Sequence, residues 1–510
     1  MVPSMPPQPQ RSIVILGSGT AAWLAAATLA RRLQPDFCAV RLIDSQPADS
    51  GPWSEVALPS FHRLNGLLGI DERDLLRRTL GTFRLGAQFA DWGRRGEQYF
   101  HTFGSIGAKL DAVPFHHHWL RLRQSGVESS FEDYSTATVA ARQGRFAPPV
   151  SQRDSFLSSY SYGYHFHAGL LRAYLRHYAL EHGVVHIERT VVRAQLRGED
   201  GFVDALQLDD GSQLRADLYV DCAGGGSLIP GNLPRRFEDW SQWLPCDRSA
   251  AVLCDGVREV VPYSPVRAEA SGWSWRVPLQ RCAESGLTYC SDSVSDDQAA
   301  EKLLLDLPGR SLTEVRRWRW SPGRPEKFWD RNWITLAPAG LEPLEGTALH
   351  LAQTGIARLL TLFPVLPDSP HDVEEYNRLT ILEWERIRDF LILHYKATGR
   401  GDSPFWERCA RMEVPDSLRA RIELFRRCGR VALHDEEHFG EESWLSLLLG
   451  QGQYPRDYDP LAEVLEVEQA REALQRMRSM IRAGVDTLPS LARFISGYCA
   501  ADGLDPGVAR

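Results

Sequence analysis

The chain has 510 residues, a formal net charge of −8 and 43% hydrophobic residues, enough for a large core. The acidic balance, without a basic run, argues against nucleic acid as a partner, and no apolar run is long enough to cross a membrane. Nine scattered cysteines, odd in number and without a C-x-x-C pair, favour reduced thiols and a cytoplasmic location. The Pro-rich residues 1–10 lack the regions of a signal peptide and are predicted to form a disordered tail.

The first predicted element is a strand, a glycine turn and a helix at residues 12–23, SIVILGSGTAAW. Two glycines permit the tight turn and the close approach of a pyrophosphate, and the alanine at the third glycine position is accepted there. The helix N-terminus offers unpaired N–H groups to an anion, and a second strand ends in the carboxylate that such a unit places near a ribose. We therefore predict a bound dinucleotide; the alternative is a glycine-rich turn in an ordinary βαβ unit. The predicted contact residues are Gly17, Gly19, Thr20, Ala21, Ala22 and Asp44.

Two segments further along carry candidate functional side chains. Residues 61–80 have apolar residues at helical spacing, and residues 82–89 alternate like a strand, on which Arg84 would point away from the apolar face. Residues 113–119, VPFHHHW, are read as extended, so their three consecutive histidines alternate sides and cannot share one metal ion. We predict a polar pocket wall there and no metal site.

The rest of the chain alternates between strand-like and helix-like stretches. A second strand, glycine loop and helix precedes residue 363, and its helix N-terminus is again suited to an anion. The predicted elements are a helix at 164–182, strands at 191–196, 203–208 and 218–220, a β-rich segment at about 230–330, a helix at 348–363, and helices from 372 onward.

Several short motifs are distributed along the chain. They are GSGTAAW (17–23), TFRLG (82–86), YFHTFG (99–104), SYGYHF (161–166), DCAGG (221–225), GWSWRVPL (272–279), SDD (295–297), LEPLEGT (341–347), LEWERIRDFLILHY (382–395) and DSPFW (402–406). With these motifs the chain resembles the flavin-dependent tryptophan halogenases from about residue 11 to about residue 465. The W-x-W-x-(I/V)-P element is the most specific of them.

The resemblance implies a fold class. It is α/β, a Rossmann-type FAD-binding domain of the flavin monooxygenase kind with an inserted β-rich substrate segment and a helical C-terminal region. The expected boundaries are a tail at 1–10, the FAD-binding domain at 11–365 with the inserted segment at about 230–330, and the helical region at 366–510.

The resemblance also implies a chemistry, in which reduced FAD from a separate flavin reductase, O2 and a halide ion yield hypohalous acid for a small aromatic substrate. Trp273 and Trp275 would keep that substrate from the flavin. Glu345 matches the glutamate that stabilises the cationic arene and takes its proton. The backbone amides of Thr347 and Ala348 match the halide site. Further flavin contacts implied by the resemblance are Glu55, Leu344 and Gly346.

The chain departs from the family pattern at several places. The lysine of the F-K-L-G motif is Arg84, whose guanidinium can hydrogen-bond hypohalous acid but cannot become a nucleophilic amine. The G-E-(A/S)-T loop reads Ser54-Glu55-Val56-Ala57, the serine after the catalytic glutamate is Gly346, and an acidic residue after Y-H-F is His167.

Three functions stay open at this point. One is halogenation of tryptophan, indole or another electron-rich arene, with Arg84 and Glu345 as catalytic residues. The others are a flavin-dependent monooxygenase or oxidase, and a non-catalytic FAD-binding protein. Phe115, His116 and Trp444 are candidate substrate contacts, with core packing as the alternative. A homodimer is possible, and neither a membrane nor a nucleic acid is expected as a partner.

Overall fold

The computed structural model describes residues 11–44, 51–152, 155–224, 236–255, 259–336, 340–363 and 369–501. The predicted tail at 1–10 lies outside these residues. Among the described helices, none is both long and apolar enough to cross a membrane.

Strands and helices alternate along the described part of the chain. The strands are β1 (Arg11–Leu16), β2 (Cys38–Ile43), β3 (Ser54–Ala57), β4 (Thr82–Arg84), β5 (Gly86–Ala90), β6 (Gln98–Thr102), β7 (Gly163–His167), β8 (Val185–Ile187), β9 (Val191–Leu196), β10 (Val203–Leu208), β11 (Gln213–Leu214), β12 (Leu218–Asp221), β13 (Phe237–Asp239), β14 (Arg248–Cys254), β15 (Ser264–Glu269), β16 (Gly272–Pro278), β17 (Ala283–Tyr289), β18 (Arg316–Arg319), β19 (Gly323–Pro325), β20 (Trp329–Asp330) and β21 (Trp333–Thr335). The α-helices are α1 (Thr20–Leu33), α2 (Phe61–Leu68), α3 (Glu72–Arg78), α4 (Phe115–Gln124), α5 (Thr136–Arg142), α6 (Ala168–Glu181), α7 (Asp296–Leu305), α8 (Ala348–Thr361), α9 (Pro370–Lys396), α10 (Pro404–Arg411), α11 (Asp416–Cys428), α12 (Glu441–Gly450), α13 (Val467–Asp486) and α14 (Leu491–Tyr498). Short 3-10 helices cover Phe131–Tyr134, Phe156–Ser159 and Pro460–Glu463.

A six-stranded sheet in the order β20-β21-β12-β1-β2-β8 carries the predicted dinucleotide unit. Strand β1 pairs in parallel with β2 and β12. Its run Ile13–Leu16 is fully buried, as is typical of a central parallel strand covered on both faces. Helix α1, rich in alanine and almost entirely buried along its first three turns, packs against α6 and α8. The sequence-based prediction of this strand, turn and helix is confirmed.

A second, seven-stranded sheet has the order β18-β14-β17-β16-β15-β5-β6. It takes β5 and β6 from residues 86–102 and the remaining strands from residues 248–319, so two distant stretches of chain build one sheet. A three-stranded sheet has the order β3-β7-β4. Residue 85 connects its strand β4 to β5 of the seven-stranded sheet. The domain boundaries predicted from the sequence stay a prediction.

Four local predictions are corrected by the structure. The helical stretch at 61–80 is two helices, because the Asp71 side chain accepts a hydrogen bond from the Asp74 amide and starts α3. The strand predicted at 82–89 is β4 and β5, which belong to different sheets. The histidines follow Pro114 on helix α4 and are not extended. The helix predicted at 164–182 begins only at residue 168, after β7.

Candidate active site

The turn between β1 and α1 is shaped for close approach of an anion. Gly17 has φ of +132°, and a Cβ there would lie 2.9 Å from the carbonyl oxygen of Cys222, so no larger residue fits. Among the residues that the structure describes, a Cβ at Gly19 would meet nothing within 4 Å, and no side chain caps the helix that begins at Thr20. The described residues thus leave space in front of the N-terminus of α1, which suits the pyrophosphate of a dinucleotide.

Two acids accompany this turn. Asp44 follows β2, as predicted, and its Oδ2 lies 3.9 Å from His186 Nε2. Burial raises the pKa of Glu55 to about 7, while a hydrogen bond with Thr20 opposes the shift. Glu55 thus reaches the N-terminus of α1, where Ala21 and Ala22 continue the helix. The residues predicted for the cofactor at this end come together.

Glu345 is fully buried between two histidines. Its Oε1 lies 3.0 Å from His101 Nδ1 and 2.9 Å from His394 Nε2. Its Oε2 has no hydrogen-bond partner within the described residues. Burial by itself would raise the pKa of Glu345, but the two histidines outweigh it and hold that pKa below its ordinary value. The site therefore presents an ionised carboxylate with one oxygen uncommitted.

Arg84 lies at the end of β4 and is only 1% exposed. The sequence treated residues 82–89 as one strand, but the chain changes sheet at Leu85, where the Leu85 amide donates to the Pro262 carbonyl. Arg84 Nε donates to Ser264 Oγ at 3.1 Å, and the guanidinium carbon lies 5.0 Å from the centre of the Phe103 ring. Nη1 is buried and, within the described residues, lacks a hydrogen-bond partner.

The charges of Arg84 and Glu345 act on each other. Burial lowers the pKa of Arg84 to about 10, and the Glu345 carboxylate opposes that shift. Arg84 therefore stays cationic at neutral pH. The two residues predicted as catalytic are both buried and within electrostatic range of each other, and among the described residues neither Arg84 Nη1 nor Glu345 Oε2 has a hydrogen-bond partner.

The loop after Glu345 leads into α8. Thr347 is the N-cap of this helix, its side chain makes no capping hydrogen bond, and Ala348 opens the first turn. Thr347 is buried and Ala348 is exposed. This uncapped end is compatible with a halide ion, and the halide site stays a prediction. Leu344 is buried beside it, and Gly346 has φ of +72°.

The two tryptophans lie on β16 of the seven-stranded sheet. Trp273 is 1% exposed, and its Nε1 donates to the Tyr395 hydroxyl at 3.0 Å, which in turn donates to Glu342 Oε2 at 2.6 Å. The Trp275 ring lies over Gly286 of β17, where a Cβ would come within 2.3 Å of it. Burial raises the pKa of Glu342 to about 8.

The three candidate substrate contacts are all buried, Phe115 and His116 next to each other on α4 and Trp444 on α12. Phe115 packs on Tyr134, with ring centres 4.7 Å apart, and His116 Nε2 lies 3.0 Å from the Gly429 carbonyl. Burial lowers the pKa of His116 to about 3, so it is a neutral core histidine. Trp444 is buried behind Phe390, 5.0 Å between ring centres. Helix α4 buries its histidines, so the predicted polar pocket wall is not formed.

Sequence reasoning missed three residues of this site. His101 and His394 lie inside motifs that were recognised, and Glu342 shares the LEPLEGT loop with Glu345, but nothing local marks them as functional. Over the part of the chain that the structure describes, no group of three or more His, Cys, Asp or Glu residues could hold a metal ion.

Comparison with known proteins finds similar structures and sequences. BrvH, a flavin-dependent halogenase from Brevundimonas sp. BAL3, matches with a TM-score of 0.91 at 37% identity over 96% of this chain and 99% of its own. Xcc4156, a flavin-dependent halogenase from Xanthomonas campestris, matches with a TM-score of 0.93 at 38% identity over 97% and 99%. Tryptophan 6-halogenase SttH from Streptomyces toxytricini is 27% identical over 514 residues, 94% of this chain and 96% of its own.

The fold is therefore that of the flavin-dependent halogenases, α/β with a helical C-terminal region. A sequence profile described as tryptophan halogenase matches residues 12–467, and the chain belongs to that family. Members of the family are flavin-dependent oxidoreductases. The predicted family, fold class and enzyme class are confirmed.

Proposed function

We propose that the protein is an FAD-dependent halogenase that acts on tryptophan, indole or another electron-rich arene. The observation that carries the proposal is Glu345, a buried carboxylate with a free Oε2 in the electrostatic field of Arg84. When bound, reduced FAD supplies the electrons that, with O2 and halide, yield hypohalous acid. A separate flavin reductase supplies the reduced FAD, and the cytoplasm is the expected compartment.

The residues present fit that cofactor. Gly17 and Gly19 leave room for a pyrophosphate at the N-terminus of α1, and Asp44 stands at the end of β2 for a ribose. Glu55, Leu344 and Gly346 are proposed to line the flavin, and the N–H groups of Thr347 and Ala348 are proposed to bind the halide.

Arg84 is proposed to hold the oxidant. Its Nη1 donates a hydrogen bond to the oxygen of hypohalous acid, which polarises the bond between oxygen and halogen. The arene ring then forms a carbon–halogen bond as the halogen–oxygen bond breaks, and the hydroxide released takes a proton to become water. The proposed route forms no covalent bond to Arg84, because a guanidinium is a poor nucleophile.

Glu345 is proposed to complete the substitution. Its negative charge stabilises the cationic arene, and Oε2 accepts the proton that leaves the ring carbon. His101 Nδ1 hydrogen-bonds Oε1 and His394 Nε2 lies 2.9 Å from the same oxygen, so Oε2 is the atom proposed to take the proton. Trp273 and Trp275 are proposed to separate the arene from the flavin.

The test is product mass spectrometry with purified protein, FAD, a flavin reductase, NADH, O2, bromide, and indole or tryptophan. We expect the isotope pattern of a brominated product, and we expect Glu345→Gln to lose it while still binding FAD. A monooxygenase on this scaffold would instead give an oxygenated product that does not depend on bromide. A non-catalytic FAD-binding protein would consume no oxygen above the reductase control.

A further inference from the structure

A chain of hydrogen bonds runs from Arg84 into the protein. Arg84 Nε lies 3.1 Å from Ser264 Oγ, and Ser264 Oγ lies 2.9 Å from His165 Nε2. His165 Nδ1 lies 3.0 Å from Thr82 Oγ1, which donates to the Pro278 carbonyl at 2.7 Å. Arg84, Ser264, His165 and Thr82 are all buried.

With His165 as a neutral imidazole, the donors and acceptors allow a single consistent direction. Arg84 Nε can only donate, and the Pro278 carbonyl can only accept. The one hydroxyl hydrogen of Thr82 therefore goes to Pro278, and Thr82 accepts from His165 Nδ1–H. His165 Nε2 then accepts from the Ser264 hydroxyl, which itself accepts from Arg84. Every contact in the chain is satisfied with His165 as a neutral imidazole.

The surroundings keep His165 neutral. Burial lowers its pKa well below the ordinary value, and the charge of Arg84 lowers it further. The groups that face the ring are the Ser264 and Thr82 hydroxyls. His165 thus serves as a fixed link between two hydroxyl groups and carries no charge of its own.

From this chain we infer that Ser264 and His165 are positioning residues that hold the Nε edge of Arg84, so that Nη1 points to the oxidant. The inference rests on the proposed function. The chain ends at Pro278, the last residue of the strand that bears Trp273 and Trp275. The hydrogen-bond chain thereby connects the guanidinium of Arg84 to the strand whose two tryptophans are proposed to shield the flavin.

A lysine cannot use this arrangement. Its Cε takes the place of Nε and cannot donate to Ser264, and its ammonium stops about one bond short of Nη1. Arginine at this position is therefore the cation that the surrounding hydroxyl groups are built for. We expect Arg84→Lys to lower the yield of halogenated product per O2 consumed.

The experiment compares Ser264→Thr with Ser264→Val, two side chains of the same shape of which only threonine keeps the hydroxyl. With bromide and indole, we expect Val to lower the product by about tenfold while O2 consumption is unchanged, and Thr to stay within about threefold of the parent. Phenol red added to the reaction detects free hypobromous acid, which is expected to escape in Val and not in Thr.

A second readout does not depend on turnover. In NMR spectra of protein labelled with 15N-arginine, the Arg84 Nε–H signal, identified by its loss in Arg84→Lys, is expected to exchange slowly with water in the parent and Thr forms and rapidly in Val. Equal behaviour of Thr and Val in both experiments would overturn the inference. A parent protein without any bromide-dependent product would overturn the proposed function, and the NMR comparison would then still decide whether Ser264 holds Arg84.

Discussion

Val56 and Gly346 are in contact beside Glu345, the proposed catalytic residue, so closely that a Cβ on Gly346 would lie 2.6 Å from Val56 Cγ1. At both positions the sequence predicts a departure from the family pattern, with valine at 56 and glycine at 346. The larger side chain at 56 occupies the space that a side chain at 346 would fill. The contact with Val56 therefore accounts for the glycine at 346.

The first prediction concerns this pair. Gly346→Ser should lower the free energy of unfolding by about 1–3 kcal/mol, because the new Cβ meets Val56 and φ at 346 is +72°. Adding Val56→Ala should restore a large part of that loss. Urea denaturation of both single variants and the double variant measures the coupling. Strictly additive effects would show that the contact does not account for the glycine.

The second prediction separates two glycines of the cofactor turn. Gly17→Ala should destabilise the protein, because its Cβ would lie 2.9 Å from the Cys222 carbonyl. Gly19→Ala should leave the melting temperature unchanged and weaken FAD binding by about tenfold or more, because its methyl group enters only the space before α1. Fluorescence titration with FAD and thermal melts measure the two effects. Unchanged FAD affinity in Gly19→Ala would show that the pyrophosphate does not bind at this position.

The third prediction is the pH profile of a histidine variant. His101→Phe removes one of the two groups that lower the pKa of Glu345, while burial, which raises it, remains. The carboxylate should then become protonated at higher pH, so the acidic limb of the halogenation rate should move toward neutral pH. Rates measured between about pH 5 and pH 9, with FAD binding checked at each pH, test this. An unshifted acidic limb would mean that His101 does not set the charge of Glu345.

The fourth prediction is a dependence of stability on pH. Burial raises the pKa of Glu342 to about 8 in the folded protein, so the folded state binds more protons than the unfolded state between the ordinary glutamate pKa and about 8. Stability from this group is complete below that window and is lost as the pH rises through it. Urea midpoints for Glu342→Gln should therefore fall less between pH 5 and pH 8 than those of the parent. Parallel curves would contradict the assignment.

The sequence was sufficient where local structure follows from residues that are neighbours in the chain. The turn at Gly17, the glutamate at 345 and the helix start at Thr347 each occupy a short motif whose neighbours in the chain are also its neighbours in space. The environment of these groups was not predictable in the same way. His101 and Glu345 are 244 positions apart, and only tertiary packing brings them together. The alternating pattern predicts that Arg84 points away from the apolar face of one strand. Instead the chain changes sheet at Leu85, and Arg84 is buried.

Helix α9 has a consequence for engineering. His394 and Tyr395 are adjacent on it, yet the first approaches Glu345 and the second binds Glu342, the two glutamates of one loop. A change that alters His394 and Tyr395 on this helix while the loop is retained would disturb both pairs at once. Helix and loop are therefore best exchanged together, and a library that varies the region is best built from blocks that span both.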